Sequence, residues 1–212
     1  MTPSPKADSP TVFIVDDETP VRRALSRLLR SAGFAVTAFA SPEEFLAQYD
    51  PHTPGCLVLD LIMPDFNGLE LQRTLDKRGS TLPIIFLTGR GDVPSSVQAM
   101  KGGAIDFLTK PVNEKELLPA VRAAIERDRV SRREQTELSE IRARLATLTP
   151  REREVLEHVV TGQLNKQIAA DLGIAEKTIE VHRGRVMAKM KVQSVAELVR
   201  LTGRSGISGS IQ

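Results

Sequence analysis

One stretch in the first half of the chain, CLVLDLIMPDFNG (residues 56–68), constrains the fold more than any other. Its apolar run from Cys56 to Leu59 is short, ends on Asp60, and is followed by the turn-forming pairs Met-Pro and Asn-Gly. A short apolar run bounded by turn residues is typical of a buried strand. Asp60 is therefore predicted to lie at the carboxyl end of a central strand, facing a crevice.

The same arrangement recurs along the first 110 residues. Apolar runs at 12–15, 83–87 and 104–109 end on Asp16-Asp17-Glu18, Thr88-Gly89 and Lys110-Pro111, and a further strand is predicted over 33–39. Helical patterns cover residues 21–30, 42–48, 69–77 and 93–100, and a last helix opens near Asn113. This alternation predicts a doubly wound α/β domain with a five-stranded parallel sheet in the order 2-1-3-4-5.

That topology brings five polar side chains to one edge of the sheet, namely Asp16, Asp17, Asp60, Thr88 and Lys110. Each alone could be an ordinary turn or capping residue, but their coincidence at successive strand ends favours a functional site. Three neighbouring carboxylates repel one another unless a cation lies among them, and an open site of oxygen ligands suits Mg²⁺. Because a carboxylate can itself form an aspartyl-phosphate, we predict that Asp60 accepts a phosphoryl group. Asp16 and Asp17 would then hold Mg²⁺, and Lys110 would assist the transfer.

Composition excludes several classes of protein. No apolar run approaches the ~18 residues that a membrane-spanning helix needs. Residues 1–9 lack an apolar secretory core and are predicted to be disordered, so the cytoplasm is the expected location. The single cysteine, Cys56, excludes a disulfide framework and a multi-cysteine metal site.

Charge divides the chain into two parts. Residues 1–128 contain 14 Lys and Arg and 17 Asp and Glu, a net charge of −3, whereas residues 129–212 contain 15 and 10, a net charge of +5. A basic second part beside an acidic first part predicts that the second part binds a polyanion.

The segment between the two parts is predicted to be almost continuous helix, from Asn113 to about Leu148. Leu138, Ile141, Leu145 and Leu148 follow a 3-4-3 spacing, as in a short coiled-coil seam. A charged run over 129–137 interrupts the apolar pattern. A solvated helical linker and a dimer seam both remain open.

The last 60 or so residues predict a bundle of four helices. Thr149-Pro150-Arg151-Glu152 forms a capping box that opens a helix to about Val160. Asn165 is predicted to cap a second helix over 166–172, a third helix follows over 176–190, and Ser194 to Glu197 form a second capping box that opens the fourth. A tight pair of helices is the helix-turn-helix arrangement, whose second helix enters the DNA major groove.

Helical spacing gives the third of these helices two faces. Ile179, Val186 and Met190 form the predicted core face. The opposite face is predicted to read DNA bases and carries Thr178, Val181, His182, Arg185 and Lys189. Lys166, Lys177 and Arg183 are predicted to hold phosphates. A solvated basic face is the alternative, and His182 could instead cap, stack or bridge to a phosphate.

Three motifs give the first part a family resemblance: VDDE (15–18), LDLIMPDFNGLE (59–70) and LTGRGDVPSSVQAMKGGAIDFLTKP (87–111). They resemble the receiver domain of bacterial two-component response regulators, most closely the FixJ branch. The resemblance implies that Asp60 is the phosphoacceptor and that Asp16, Asp17 and the Ile62 carbonyl bind Mg²⁺ with it. It also implies that Thr88 and Phe107 form a switch pair and that Lys110 contacts the phosphoryl group.

Residues 148–162 and 165–190 resemble the LuxR-type helix-turn-helix of FixJ and NarL response regulators. The resemblance implies a sensor histidine kinase as phosphoryl donor, a homodimer on phosphorylation, promoter DNA as ligand, RNA polymerase as partner, and activation of transcription. Two departures weaken the recognition helix, because Ala175 stands where the family more often has Ser, and Gly184 lies within the helix. Each is expected to cost about 1 kcal/mol.

These inferences divide the chain into a disordered start (1–9), a receiver (10–128), a helical linker (129–146), an all-α helix-turn-helix domain (147–203) and a flexible tail (204–212). Two other functions remain open. One is a Mg²⁺-dependent phosphohydrolase with an aspartate nucleophile, although such enzymes normally carry a D-x-D motif after their first strand. The other is a constitutive DNA-binding dimer. Inhibition of the DNA-binding part by the unphosphorylated receiver is an additional route of control.

Overall fold

The computed structural model describes residues 9–64, 67–89 and 93–204, with the side chains of 93–96 excepted. The predicted disordered start (1–9) and flexible tail (204–212) lie outside these ranges except for Ser9 and Arg204, and Arg204 is the last residue of the final helix. In the first part of the chain, the strands are β1 (Thr11–Val15), β2 (Ala35–Phe39), β3 (Gly55–Asp60), β4 (Ile84–Thr88) and β5 (Asp106–Thr109). The helices between them are α1 (Thr19–Ser31), α2 (Pro42–Gln48), α3 (Gly68–Lys77) and α4 (Val93–Lys101).

The five strands form one parallel sheet in the order β2-β1-β3-β4-β5, as predicted. β3 is buried along its whole length, and its alternate side chains enter two apolar clusters, one on each face of the sheet. Leu57 and Leu59 belong to one cluster, whereas Cys56 and Val58 belong to the other. Apolar side chains therefore fill both faces of the sheet, and the polar side chains of the predicted site lie at the strand ends.

Three strands begin later than predicted, and for β4 the difference is a single residue, since it begins at Ile84 rather than 83. β2 begins at Ala35 rather than 33, because Gly33 has a φ of +90° and turns the chain after α1. β5 begins at Asp106 rather than 104, because the N–H of Ala104 donates to the Ala99 carbonyl and completes the turn after α4.

The last helix of the first part, α5 (Glu114–Ala146), is 33 residues long, and the internal contacts of the chain divide within it, after Arg132. In the first unit, Leu117 and Val121 pack on the sheet. Asp128 is buried, and its Oδ2 accepts hydrogen bonds from Gly55 N at 2.9 Å and Arg132 Nε at 2.7 Å. Arg132 also donates to the carbonyls of residues 51–53. These bonds extend the contacts of the first unit beyond residue 128.

The second unit contains the end of α5 followed by α6 (Pro150–Val160), α7 (Asn165–Leu172), α8 (Glu176–Met190) and α9 (Val195–Arg204). Ile141, Leu145 and Leu148 are buried in a single core with side chains of α6 to α9. Packing within this unit therefore accounts for three of the four residues of the 3-4-3 spacing, whereas Leu138 is only partly buried. The solvated linker and the dimer seam both stay predictions.

The helix caps of the second unit agree with the sequence in part. The capping box of Thr149 and Glu152 is confirmed. Asn165 is not a cap, because it is the first residue of α7 and the N–H of Leu164 donates instead to Gln167. The box before α9 is formed in part, because Ser194 Oγ accepts from Glu197 N at 3.2 Å as predicted, but the Glu197 carboxylate accepts from Gln193 N rather than from Ser194 N. Among the described helices, none has the length and apolar character to cross a membrane.

Candidate functional site

The carboxyl ends of β1 and β3 bring together the three aspartates that the sequence singled out. Asp16, Asp17 and Asp60 each offer a carboxylate oxygen, and these oxygens lie within 4.8 Å of one another. The strand register brings Asp16 beside Asp60, because Val15 pairs with Leu59 and an aspartate follows each of these two residues in the chain. Asp16 is fully buried and Asp60 is 4% exposed, whereas Asp17 is exposed. The cluster therefore opens to solvent on the side of Asp17.

A single lysine lies against this cluster. The Lys110 ammonium is 2.7 Å from Asp16 Oδ2, 2.8 Å from Asp60 Oδ2 and 3.2 Å from the exposed Glu18 carboxylate. Burial alone would lower the pKa of Lys110, but its hydrogen bonds to Asp16 and Asp60 raise that pKa above the usual value. Lys110 is therefore a permanent cation directed at the carboxylate that is predicted to react.

The donor set fits a magnesium ion. Burial raises the pKa of Asp16, although hydrogen bonds from Lys110 and from the Glu18 N–H oppose this shift. One ammonium does not neutralise three carboxylates, so the site favours a further cation. All of these side-chain ligands are oxygens and one side of the cluster is open, which is the arrangement that Mg²⁺ prefers.

The turn after Asp60 depends on two residues of the Asn-Gly pair. Asn67 Oδ1 accepts a hydrogen bond from Leu69 N at 3.0 Å and caps α3. Gly68 lies so close to β3 that a Cβ there would be 2.4 Å from the Asp60 carbonyl oxygen. Within this turn the Ile62 N–H lies 3.3 Å from Asp60 Oδ1, and the Ile62 side chain is 60% exposed beside the site.

The two predicted switch residues lie on the next strands of the sheet. Thr88 is buried at the end of β4, and its carbonyl accepts from Lys110 N at 2.7 Å. Phe107 on β5 is half-buried, pairs with Phe86 in the sheet, and its ring centroid is 6.4 Å from that of Phe86. Thr88 thus lies at the reactive edge, whereas Phe107 lies two residues before the end of β5.

In the second unit, α8 has the two faces that helical spacing predicted. Ile179, Val186 and Met190 are buried in the core. The exposed residues include Lys177, Thr178, Val181 and Arg185, and Lys166 is exposed near the start of α7. Val181 is 45% exposed although it is apolar. The short connection between α7 and α8 turns at Gly173, whose φ is +65°.

Three predicted DNA-binding residues, His182, Arg183 and Lys189, are partly buried. The buried Nδ1 of His182 has no hydrogen-bond partner among the described residues. Arg183 donates to Asn165 Oδ1 at 2.8 Å, which fixes its guanidinium beside the start of α7. Lys189 donates to the buried Glu152 carboxylate at 2.6 Å and to the Thr147 carbonyl at 3.0 Å. The Lys189 ammonium is therefore bound within its own unit, and a DNA contact by Lys189 stays a prediction.

Comparison with known proteins decides the family. Residues 12–122 match the family described as "response regulator receiver domain", and residues 146–202 match "bacterial regulatory proteins, luxR family". The chain belongs to the response regulators. Its receiver is followed by a LuxR-type DNA-binding domain, as in transcriptional regulators of two-component systems.

Individual relatives match over nearly the whole of this response regulator. It is 47% identical to nodulation protein W of Bradyrhizobium diazoefficiens, over 94% of this chain and 88% of that protein. It is also 47% identical to the transcriptional regulatory protein FixJ of Rhizobium meliloti, over 94% of this chain and 98% of that protein. Among solved structures, the response regulator StyR is 44% identical, with a TM-score of 0.84 over 92% of this chain and 99% of that one.

Sequence reasoning missed one residue at the reactive edge of this response regulator. Arg22 on α1 donates from Nη1 to the carbonyls of Asp16 at 2.7 Å and Asp17 at 2.8 Å, and from Nη2 to Thr19 Oγ1 at 2.9 Å. Helical periodicity assigns Arg22 only to a partly exposed face. Its spacing from the aspartate pair was the available signal, because a first-turn side chain can reach back to the loop that precedes its helix.

Proposed function

We propose that this response regulator accepts a phosphoryl group on Asp60 from a sensor histidine kinase. One observation carries the proposal: the buried Asp60 carboxylate lies 2.8 Å from a lysine ammonium and beside two further aspartates at the edge of a parallel sheet. The relatives named as response regulators and transcriptional regulators support the same function.

The chemistry follows from the groups at this edge. A carboxylate oxygen of Asp60 attacks the phosphorus of the donor phosphohistidine, the P–N bond breaks, and the departing imidazole nitrogen retains the electron pair and takes up a proton. Lys110 is placed to bind a phosphoryl oxygen and stabilise the charge of the transition state. The residues that would hold Mg²⁺ are Asp16, Asp17, Asp60 and, through its carbonyl, Ile62. When bound, Mg²⁺ would spread the negative charge of the transferring group.

The test is phosphorylation with a labelled small-molecule donor. Wild type is expected to acquire a label that is stable to acid and labile to alkali, which is typical of an acyl phosphate. Asp60→Asn is expected to acquire none. Asp76→Asn, which changes an exposed aspartate on α3, is the matched control and should label like wild type. Persistent labelling of Asp60→Asn would exclude Asp60 as the acceptor.

We propose that the new phosphoryl group is read by Thr88 and Phe107. Thr88 would move toward the phosphoryl oxygens and Phe107 would turn inward, which changes the surface of α4 and β5 and favours a homodimer. Sedimentation of wild type and Asp60→Asn, with and without Mg²⁺ and beryllofluoride, tests this step. A shift to dimer in wild type alone is expected. If neither protein shifts, the constitutive dimer and the release of the DNA-binding unit within a monomer become the better explanations.

We propose that the second unit binds promoter DNA through α8. Thr178, Val181, Arg185 and His182 would contact bases, and Lys166, Lys177 and Arg183 would contact phosphates. Dimerisation would join two such units, so that half-sites lie one helical turn apart, ~34–36 Å. Activation of transcription with RNA polymerase in the cytoplasm would follow. Footprints on a responsive promoter that do not change on phosphorylation would contradict this coupling.

We propose that the chain is not a phosphohydrolase, although it shares an aspartate, a lysine and a threonine at a parallel sheet with such enzymes. β1 is followed by the adjacent pair Asp16-Asp17 rather than by a D-x-D motif. Steady turnover of a small phosphate ester, abolished in Asp60→Asn, would restore the enzymatic alternative.

A further inference from the structure

Arg22 makes bonds that the phosphoacceptor chemistry does not itself use. Its Nη1 carries two N–H groups, and these donate to two successive carbonyls, those of Asp16 and Asp17. The two carbonyls belong to the peptide groups on either side of the Asp17 Cα. Bonds to both peptide groups restrict φ and ψ of Asp17, and therefore the direction in which its side chain leaves the backbone.

Asp17 needs such support more than its neighbours do. Asp16 is fully buried, and its Oδ1 accepts a hydrogen bond from Glu18 N at 2.8 Å. Asp60 is held by the buried strand β3 and by Lys110. Asp17 is exposed, so side-chain packing does little to direct it, and the backbone of its loop must do so.

The third bond of Arg22 anchors the guanidinium itself. Nη2 donates to Thr19 Oγ1 at 2.9 Å, within the first turn of α1. The planar guanidinium thus connects the loop that follows β1 to the helix that follows the loop. It does so from the carbonyl side of that loop, which leaves the carboxylate oxygens for a cation.

From this geometry we infer that Arg22 is a positioning residue for the metal site. It holds Asp17 in the direction that Mg²⁺ binding requires without being a ligand. The inference rests on the proposed metal site, and it extends that site to a side chain on α1. Residues that orient a metal ligand typically contribute 10–100-fold in metal affinity.

If Arg22 acts only through its charge, removing it should raise the affinity for Mg²⁺, whereas if it positions Asp17, removing it should lower that affinity. The two explanations can therefore be told apart. Arg22→Met is the test variant, and Arg23→Met is the matched control, because Arg23 is an exposed arginine at the next position of the same helix.

The measurement is the dissociation constant of Mg²⁺ by calorimetric titration of the full chain. We expect Arg22→Met to bind about tenfold more weakly than wild type and Arg23→Met to bind equally well or more tightly. Arg22→Lys should fall between, because an ammonium keeps the charge and can reach a carbonyl but lacks the planar fork. Asp17→Asn should bind much more weakly than any of them.

Fluorescence of Tyr49, the single tyrosine in a chain without tryptophan, reports whether the first unit remains folded without Mg²⁺. If Arg22→Met is unfolded there, Arg22→Lys becomes the deciding variant. An affinity of the deciding variant within twofold of wild type, or equal losses in Arg22→Met and Arg23→Met, would overturn the inference. Failure of wild type itself to bind Mg²⁺ would instead overturn the proposed metal site, and the inference with it.

Discussion

Two clusters, one in each unit, combine a lysine with at least one buried carboxylate, and they balance charge differently. In the first unit, Asp16, Asp17 and Asp60 share Lys110. In the second unit, the Glu152 carboxylate binds the Lys189 ammonium and accepts one hydrogen bond from the Thr149 N–H. The first cluster keeps an excess of negative charge, and the second is neutral.

The pKa values follow this difference. Burial raises the pKa of Asp16 despite the nearby lysine. Hydrogen bonds from Lys189 and from the Thr149 N–H lower the pKa of Glu152 to about 2. A carboxylate that has all of its partners within the fold stabilises the fold, whereas carboxylates that exceed their partners leave room for a ligand. Glu152 is therefore expected to stabilise the fold, and the aspartates of the first cluster are expected to bind a cation.

The largest effect is expected from breaking the balanced cluster. Glu152→Gln should destabilise the second unit by about 3 kcal/mol at neutral pH, because Lys189 loses the charge of its buried partner. Hydrogen exchange of α6 and α8, measured by mass spectrometry, would report the loss in this unit. Glu154→Gln is the matched control, since the Glu154–Arg151 ion pair is as short at 2.6 Å but exposed. It should cost less than about 1 kcal/mol. Equal losses in the two variants would contradict the structural role of Glu152.

The unbalanced cluster should respond to a cation instead. Mg²⁺ at about one hundred times its dissociation constant should stabilise the first unit by about 2.7 kcal/mol. Asp17→Asn should abolish this gain, because it removes a ligand that opens to solvent. Urea unfolding followed by Tyr49 fluorescence, with and without Mg²⁺, measures the effect in the unit that contains the site. An equal gain in Asp17→Asn would show that Mg²⁺ acts elsewhere on the chain.

Sequence patterns predicted what periodicity controls. The sheet order and the meeting of Asp16 with Asp60 follow from apolar runs whose ends coincide at one edge. Two other predictions, for the apolar spacing on α5 and for Lys189 on α8, concerned which groups the side chains contact, and periodicity does not specify this. The apolar spacing of Ile141 and Leu145 was compatible with several surfaces, and the structure packs it into its own unit. The direction of Lys189 was predicted from its Cα alone.

Lys189 shows why the partners of individual side chains could not be predicted from the sequence. A lysine has four carbon atoms between Cα and its ammonium, so a face assigned from helical spacing does not locate the charge. Its partner, Glu152, is distant in sequence and was assigned only to a capping box. The role of Arg22 was not predicted, because its partners are backbone carbonyls, which every residue carries and which give no sequence signal.

The two clusters should also respond to acid with opposite signs. The pKa of Glu152 is about 2 in the folded chain and about 4.5 in the unfolded chain. The contribution of Glu152 to the free energy of unfolding is therefore complete above pH 4.5 and is lost as the pH falls toward 2. Asp16 has a raised pKa in the folded chain, so its protonation at falling pH makes the first unit more stable. The stability difference between wild type and Glu152→Gln, about 3 kcal/mol at neutral pH, should therefore shrink below pH 4.5. A difference that stays constant from pH 7 to pH 3 would exclude this assignment.

The smallest effect concerns α8, which begins without a side-chain cap at Ala175 and contains Gly184. Gly184→Ala should stabilise the second unit by about 1 kcal/mol, because Gly184 is helical and a Cβ there meets nothing within 4 Å. Gly173→Ala is the matched control. Its Cβ also meets open space, but its φ of +65° is strained for alanine and the variant should lose stability. Opposite shifts of the urea midpoint of the second unit are expected. If α8 becomes firmer on DNA, Gly184→Ala should also bind DNA several-fold more tightly, since about 1.4 kcal/mol corresponds to tenfold in affinity.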